Sequence, residues 1–202
     1  MKKLVFLFAL LICCSFISST GSITESERSF AVKHLADTKA YLLSAVSGLS
    51  DAQIKFKASP ERWSILECVE HIVNAETLLF QRIMASVKEP INPEKRSEIK
   101  FTDEQLINVI LDRSAKVKAP EIIKPTGKYT TLQDALNAFN AQRNQTIEYM
   151  KTTSDDLRGR VAQHPVLGMI DDYQWILLAG AHQKRHTLQI EEVKADKNFP
   201  KQ

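Results

Sequence analysis

The sequence predicts an all-α protein, a four-helix bundle with one longer crossover connection. Four segments, each of roughly 22 residues, place apolar side chains at helical spacing on one face. The chain contains only six glycines and seven prolines, which argues against an all-β or a disordered protein. Hydrophobic residues make up 44% of the chain, enough for the core of one domain. No segment shows a persuasive strand alternation, so four amphipathic helices are expected to pack together.

Residues 1–21 have the pattern of a secretory signal peptide. Two lysines precede an apolar run over residues 4–17, and small residues follow at 18–22. The apolar run is too short to span a bilayer comfortably. We therefore predict that residues 1–21 are removed and that residues 22–202 form the mature domain, exported to the periplasm or the medium.

Two other outcomes are open for this N-terminal segment. A lipid could anchor the protein through Cys13 or Cys14, but bulky residues precede both cysteines, which makes that route the weaker one. An uncleaved anchor is the third outcome. After cleavage Cys68 is the only cysteine, so no internal disulfide is expected.

The mature chain has almost no net charge. Removal of Lys2 and Lys3 lowers the 27 basic residues to 25, against 24 acidic ones, which leaves a net charge of +1. A nucleic-acid partner is not expected, because that binding needs basic groups clustered on one face. After cleavage no integral membrane span is expected, and a homodimer through an exposed apolar helix face is an open possibility.

Capping residues mark the beginnings of the predicted helices. Thr24 with Glu27, and Ser64 with Glu67, have the spacing of capping boxes, and Trp63 precedes the second box as a hydrophobic staple. The residues between 51 and 62 form a connector that ends at a proline. The predicted helices cover residues 24–47, 64–87, 102–117 and 131–151, and a last helix begins at Asp171.

Arg143 interrupts the apolar stripe of the helix that Thr131 opens. We expect its guanidinium to reach the surface along an apolar stem. The alternatives are that this guanidinium forms a buried ion pair or that it faces a ligand.

Two histidines share one face of the last helix. His182 and His186 are four residues apart, so a rotation of about 400° brings them one above the other. This spacing lets two nitrogen donors reach one metal ion from a single helix. The alternative is a pair of core histidines bonded to polar neighbours. His71, in the second helix one turn beyond Glu67, carries only a weak signal of its own.

Three short motifs occur in order along the chain: Trp-Ser-Ile-Leu-Glu-Cys-Val-Glu-His at 63–71, His-Pro-x-x-Gly at 164–168 and His-x-x-x-His-x-x-x-Ile at 182–190. Together they resemble the signatures of the DinB-like superfamily. The resemblance implies a four-helix bundle in which His71, His182 and His186 bind a divalent metal ion. Zinc, nickel and iron all suit imidazole ligands. Many characterised relatives are thiol-dependent transferases or isomerases.

Other chemistries find less support in the sequence. A metalloprotease of the His-Glu-x-x-His type lacks its general base, because Gln183 follows His182. Glu67 could act as a base or orient His71, although its capping box is the simpler role. Cys68 is expected to be a core residue rather than a fourth ligand. Neither His164 nor His34 is assigned to the metal site, and no serine lies in a nucleophile elbow.

The sequence therefore predicts an exported protein with an open three-histidine metal site. Three protein ligands leave coordination positions for water or substrate, as in catalytic sites. The expected activity is metal-dependent transfer or hydrolysis on a small-molecule substrate, with a thiol as one candidate co-substrate. The alternative is a non-catalytic bundle that binds a metal or another ligand.

Overall fold

The computed structural model describes residues 22–114 and 118–201. The predicted signal peptide, residues 1–21, lies outside the described residues. Within those described residues the chain forms six α-helices, two short 3₁₀ helices and one short hairpin. In chain order the α-helices and strands are α1 (Glu25–Val46), α2 (Asp51–Lys55), α3 (Ile65–Ser86), α4 (Asp103–Leu111), α5 (Leu132–Thr152), β1 (Val161–His164), β2 (Gly168–Asp171) and α6 (Asp172–Lys194).

The four long helices, α1, α3, α5 and α6, form the bundle. α6 packs against α1, α3 and α4, while α5 packs against α1 and α3. The long connection between α3 and α5 carries α4 and two short 3₁₀ helices, Pro93–Glu98 and Glu121–Ile123. This architecture confirms the predicted all-α four-helix bundle with one longer crossover.

The core consists of two hydrophobic clusters along the bundle. One surrounds the first half of α6 and includes Leu35, Leu106 and Ile176, all fully buried. The other lies between the first half of α3 and the last turns of α6, and includes Val69, Phe139 and Ile190. Because α3 and α6 both contribute to the second cluster, packing holds these two helices side by side.

The predicted helix starts are correct. Thr24 with Glu27, and Ser64 with Glu67, form complete capping boxes. In α6 the side chain of Asp171 accepts a hydrogen bond from the backbone of Gln174. These caps satisfy amide groups that a helix leaves without partners at its N-terminus.

Two predictions about chain segments are wrong. The connector at 51–62 contains the five-residue helix α2, which begins with a capping box of its own at Ser50. The segment before α6 is an antiparallel hairpin of β1 and β2, although no strand was predicted anywhere. Neither four-residue strand alternates apolar and polar residues, so the period-two pattern does not reveal them. The side chain of Asn92, distant in sequence, bonds both backbone groups of Val161 at the hairpin edge.

The short helix in the crossover ends earlier than predicted. α4 stops at Leu111 instead of near Val117, and residues 115–117 lie outside the described part. Asp112 accepts a hydrogen bond from the backbone of Ser114, a local turn that competes with the helix. Arg185 of α6 donates to the carbonyl groups of Ile110 and Asp112 and so satisfies the helix end.

The expectation that Arg143 reaches the surface is also wrong. Its side chain is fully buried and donates from Nε and Nη2 to the carboxylate of Glu76. Its Nη1 donates to the carbonyl of Leu35 and to the hydroxyl of Thr38, each at 2.8 Å. This network joins α1, α3 and α5. A single sequence does not show that Glu76 lies opposite Arg143 on the facing helix, so the ion pair could not be predicted.

Within the described ranges, 22–114 and 118–201, no helix is both long and apolar enough to cross a membrane.

Candidate metal centre

Three histidine side chains converge where α3 packs against α6. One ring nitrogen from each of His71, His182 and His186 lies within 4.8 Å of the others. The ring centroid of His186 is 4.4 Å from that of His71 and 4.5 Å from that of His182. His71 is buried, whereas the two histidines of α6 are only half-buried. The cluster is therefore open to solvent on one side.

Hydrogen bonds determine which nitrogens of His71 and His186 face the cluster. Nδ1 of His71 lies 2.7 Å from the backbone oxygen of Ile123. A carbonyl only accepts, so this Nδ1 carries the proton and donates. Nδ1 of His186 lies 2.9 Å from Oε1 of Gln189 and donates in the same way. In each neutral ring Nε2 is then an acceptor with a free lone pair.

The two Nε2 atoms lie 3.1 Å apart. Two lone pairs at that distance repel each other unless a positive charge lies between them. A tetrahedral zinc ion with Zn–N bonds of about 2.0–2.1 Å holds its nitrogen ligands roughly 3.4 Å apart. The donor set therefore fits a divalent metal ion, and the bonds at both Nδ1 atoms are of the kind that orient histidine ligands.

The surroundings keep all three imidazoles neutral at pH 7. Burial, with the positive charges of His71 and Arg185 as smaller causes, lowers the pKa of His182 to about 3. Burial, followed by the charges of His182 and His71, lowers the pKa of His186 well below its ordinary value. For His71 burial lowers the pKa, while the carbonyl of Ile123 raises it. A metal ion thus has no protons to displace from these ligands at neutral pH.

Trp63 lies against the cluster, whereas Gln183 bonds within its own helix. The ring of Trp63 lies 4.8 Å from that of His71 and 6.1 Å from that of His186, so the residue predicted as a helix staple covers the histidines. Gln183 is fully buried and donates to the hydroxyl of Thr187. It does not take the position of a metalloprotease base.

Two further candidates near His71 have other roles in the structure. Glu67 accepts from the backbone of Ser64 at 2.7 Å and from Nζ of Lys57 at 3.0 Å. It does not orient His71, because Ile123 does. Cys68 is fully buried, and burial raises the pKa of its thiol to about 12. It packs in the second hydrophobic cluster and is not in the group of possible metal ligands among the described residues.

The remaining histidines lie outside the cluster. Nδ1 of His164 accepts from the backbone of Val166 and of Leu167, each at 3.1 Å. Nε2 of His34 lies 3.1 Å from the carbonyl oxygen of Leu177, where α1 packs on α6. Neither belongs to the group of possible metal ligands among the described residues.

Comparison with known proteins identifies the family. The model of the DinB superfamily matches residues 34–190, most of the chain. The chain belongs to the DinB superfamily. The uncharacterized protein YuaE of Bacillus subtilis (strain 168) is 29% identical over 153 residues, covering 74% of this chain and 88% of YuaE. YfiT from Bacillus subtilis, described as a probable metal-dependent hydrolase with an unusual four-helix bundle topology, superposes with a TM-score of 0.58 at 17% identity. That match covers 86% of this chain and 89% of YfiT and confirms the DinB-like fold.

The sequence pointed to the three histidines of this DinB superfamily member but not to the groups that orient them. Gln189 lies three residues after His186, a spacing at which helical side chains meet, so a search for ring partners could have found it. Ile123 contributes a backbone oxygen from the crossover, and no side-chain pattern reveals such a contact.

Proposed function

We propose that this protein is a metal-dependent hydrolase or transferase that acts on a small molecule at the three-histidine centre. The observation that carries the proposal is the 3.1 Å approach of two imidazole Nε2 atoms beside a third histidine. YfiT, which shares the fold, is described as a probable metal-dependent hydrolase. Membership of the DinB superfamily supports the same reading.

His71, His182 and His186 would hold the ion from the protein side and leave positions for a small molecule on the open side. When bound, the ion supplies Lewis acidity and lowers the pKa of a coordinated water or thiol. The carbonyl of Ile123 and the amide of Gln189 keep two rings in the tautomer that exposes Nε2. Zinc, nickel and iron all suit such ligands, and metal analysis decides among them.

Metal analysis tests the centre directly. The protein is purified without chelator and without affinity histidines, beside His71→Ala, His186→Ala and the control His34→Ala. We expect on the order of one equivalent of metal in the wild type and the control, and none in the two cluster variants. Unchanged helical circular dichroism in each variant shows that the fold persists. Full helicity without metal, even after addition of zinc or nickel, overturns the proposal.

Turnover distinguishes an enzyme from a binding protein. The metal-loaded protein is assayed against esters, amides and electrophiles that accept a thiol, beside His182→Ala. Saturable turnover that disappears in the variant supports catalysis, and the class of active substrate separates hydrolysis from thiol transfer. Bound metal with no turnover on any of these compounds would instead favour a non-catalytic metal-binding bundle.

We assign Glu67 to the helix cap, with proton transfer as the competing role. Glu67→Gln keeps the geometry of the capping box, because glutamine serves in the same position, but removes the carboxylate. Turnover within about twofold of wild type is expected if the cap is its role. Because general acid–base groups contribute about 10²–10⁴-fold, a loss of that size would assign proton transfer to Glu67.

We also propose that residues 1–21 direct export and are then removed. Intact-mass measurement of the protein recovered from the cell envelope or the medium should show a chain that begins near Ser22. Leu7→Arg together with Leu10→Arg interrupts the apolar run and should leave the full-length chain inside the cell. A lipid-modified mass at Cys13 or Cys14 would support the anchored form and overturn simple cleavage.

A further inference from the structure

The face of α3 and α6 that carries the three histidines continues to a second polar group. Trp175 precedes His182 by seven residues, which is about 10 Å along the axis and about 20° around it. Arg82 follows His71 by eleven residues and likewise returns to within about 20° of its face. α3 and α6 run antiparallel, so Arg82 and Trp175 meet, with the guanidinium carbon 4.0 Å from the centre of the indole.

Three buried polar atoms at this contact have no hydrogen-bond partner among the described residues. They are Nε and Nη2 of Arg82 and Nε1 of Trp175. Trp175 is only 5% exposed. Buried polar groups in proteins are nearly always paired, so a cluster of unpaired ones points to a missing binding partner.

The unpaired edge of Arg82 is the edge with which other arginines of this chain bind carboxylates. Nε and Nη2 of Arg143 bind the two oxygens of Glu76. The same two atoms of Arg113 bind the two oxygens of Glu192 at 2.8 and 2.7 Å. Two parallel N–H groups match the spacing of two carboxylate oxygens. In Arg82 the same fork of two N–H groups, Nε and Nη2, binds no carboxylate.

Asp172 lies near Arg82 but does not fill the fork. The charge of each group acts on the other, yet Nε and Nη2 of Arg82 have no hydrogen-bond partner, and Asp172 lies within hydrogen-bonding reach of the Ser86 hydroxyl. Burial is the largest influence on Asp172 and raises its pKa to about 6, against the smaller effects of the Ser86 hydroxyl, Arg82 and Arg160. Because Asp172 makes no hydrogen bond to the guanidinium, the two N–H groups of the fork stay available to another carboxylate.

We propose that Arg82 and Trp175 bind the carboxylate of a small molecule whose reacting end lies at the three-histidine centre, about 10 Å away along α6. Binding requires the half-buried side chain of Arg82 to rotate about its outer torsions, so that the buried fork leaves the indole and meets the incoming carboxylate. The indole N–H of Trp175 adds a third donor. The identity of the reacting end rests on the proposed function, whereas the carboxylate site stands on its own contacts.

Fluorescence of Trp175 tests the site without any metal. The chain has two tryptophans, so Trp63→Phe leaves Trp175 as the only indole, and this indole touches Arg82. The metal-free variant is titrated with acetate, glutarate and inorganic phosphate at constant ionic strength. We expect a saturable change with both carboxylates, and a dissociation constant about tenfold or more higher after Arg82→Gln. Because no metal is present, the result is independent of the proposed metal chemistry.

Matched variants separate specific binding from general charge effects. Lys88→Gln removes one exposed positive charge near the same end of α3 and should leave the titration unchanged. Asp172→Asn removes a nearby negative charge and should tighten carboxylate binding several-fold. Equal affinity for phosphate would mark a general oxyanion site and overturn the carboxylate assignment. Loss of stability in both Arg82→Gln and Asp172→Asn, without saturable binding, would show that the two side chains satisfy each other and overturn the proposal.

Discussion

The Nε2 atoms of His71 and His186 lie 3.1 Å apart, although 115 residues separate them in the chain. Each ring uses its Nδ1 for another hydrogen bond, so both Nε2 lone pairs point at the same space. The hydrophobic cluster shared by α3 and α6 brings the two helices together, and its burial offsets the electrostatic repulsion between the two Nε2 atoms. A metal ion would relieve the repulsion, which couples metal binding to the stability of the bundle.

We predict that metal affinity persists to lower pH than in an ordinary histidine site. Three imidazoles of ordinary pKa would lose affinity about 50-fold between pH 7.5 and 6.0, because protons compete for each ring. Here the pKa values of His71, His182 and His186 all lie below the ordinary value, so few protons compete at pH 6.0. Calorimetric titration with zinc at the two pH values should therefore give dissociation constants within about fivefold of each other.

A short unstructured peptide with three histidines serves as the control for that titration. Its rings are exposed and have ordinary pKa values, so it should show the full loss of affinity. If the protein loses as much affinity as the peptide, burial does not keep the cluster neutral.

Gln189 should contribute to metal affinity without touching the metal. Its Oε1 accepts from Nδ1 of His186 at 2.9 Å, which sets the tautomer and the ring orientation. Gln189→Leu keeps the size of the side chain and removes the acceptor, so the dissociation constant for zinc should rise about 10–100-fold. Gln133→Leu, at an exposed amide on α5, is the control and should have no effect. An unchanged constant for Gln189→Leu would show that the ring needs no outer partner.

The fold and the metal site differ in how far a single sequence predicts them. Caps such as Thr24, Ser64 and Asp171 depend on residues three or four positions away, so local spacing predicts them correctly. His182 and His186 are likewise local to one helix. Their meeting with His71 depends on how α3 packs on α6, and only the family resemblance connected the three.

Contacts distant in sequence account for what the sequence did not predict. Arg143 is buried because Glu76, on another helix, supplies two carboxylate oxygens. His71 is oriented by a backbone oxygen of the crossover, and backbone groups carry no residue-specific signal. The hairpin before α6 depends on Asn92, many residues earlier. Predicting such long-range contacts requires either the structure or independent information about which positions are in contact.

We predict that Asp172 lowers stability above about pH 6. Its pKa is raised to about 6 in the folded protein, mainly by burial. At about pH 3 and below, the carboxyl is largely protonated in both states. Between about pH 4 and 6 the unfolded chain releases this proton while the folded protein keeps it, so stability is lost as the pH rises through the folded pKa. Asp172→Asn removes that ionisation. In urea unfolding, the variant should match wild type near pH 3 and exceed it by on the order of 2 kcal/mol at pH 8.

The exposed Asp37 provides the comparison for this experiment. It pairs with Lys33 at the surface, so Asp37→Asn should change stability by only a few tenths of a kcal/mol at either pH. A stability difference for Asp172→Asn that does not vary with pH would place the effect in packing instead of ionisation.

The buried pair of Arg143 and Glu76 should cost more when broken than when removed. Both side chains are almost fully buried, at 0% and 3% exposure. Glu76→Leu leaves a guanidinium without its counter-ion in the core and should lower the free energy of unfolding by about 3–5 kcal/mol. Arg143→Met combined with Glu76→Leu removes the stranded charge, so the double variant should be more stable than Glu76→Leu alone. Thr38 and Leu35 lose the guanidinium in the double variant but still bond each other, which limits the cost. Urea unfolding of both variants and the wild type measures the difference. A double variant less stable than Glu76→Leu would show that Arg143 stabilises the bundle even without Glu76 and would contradict the prediction.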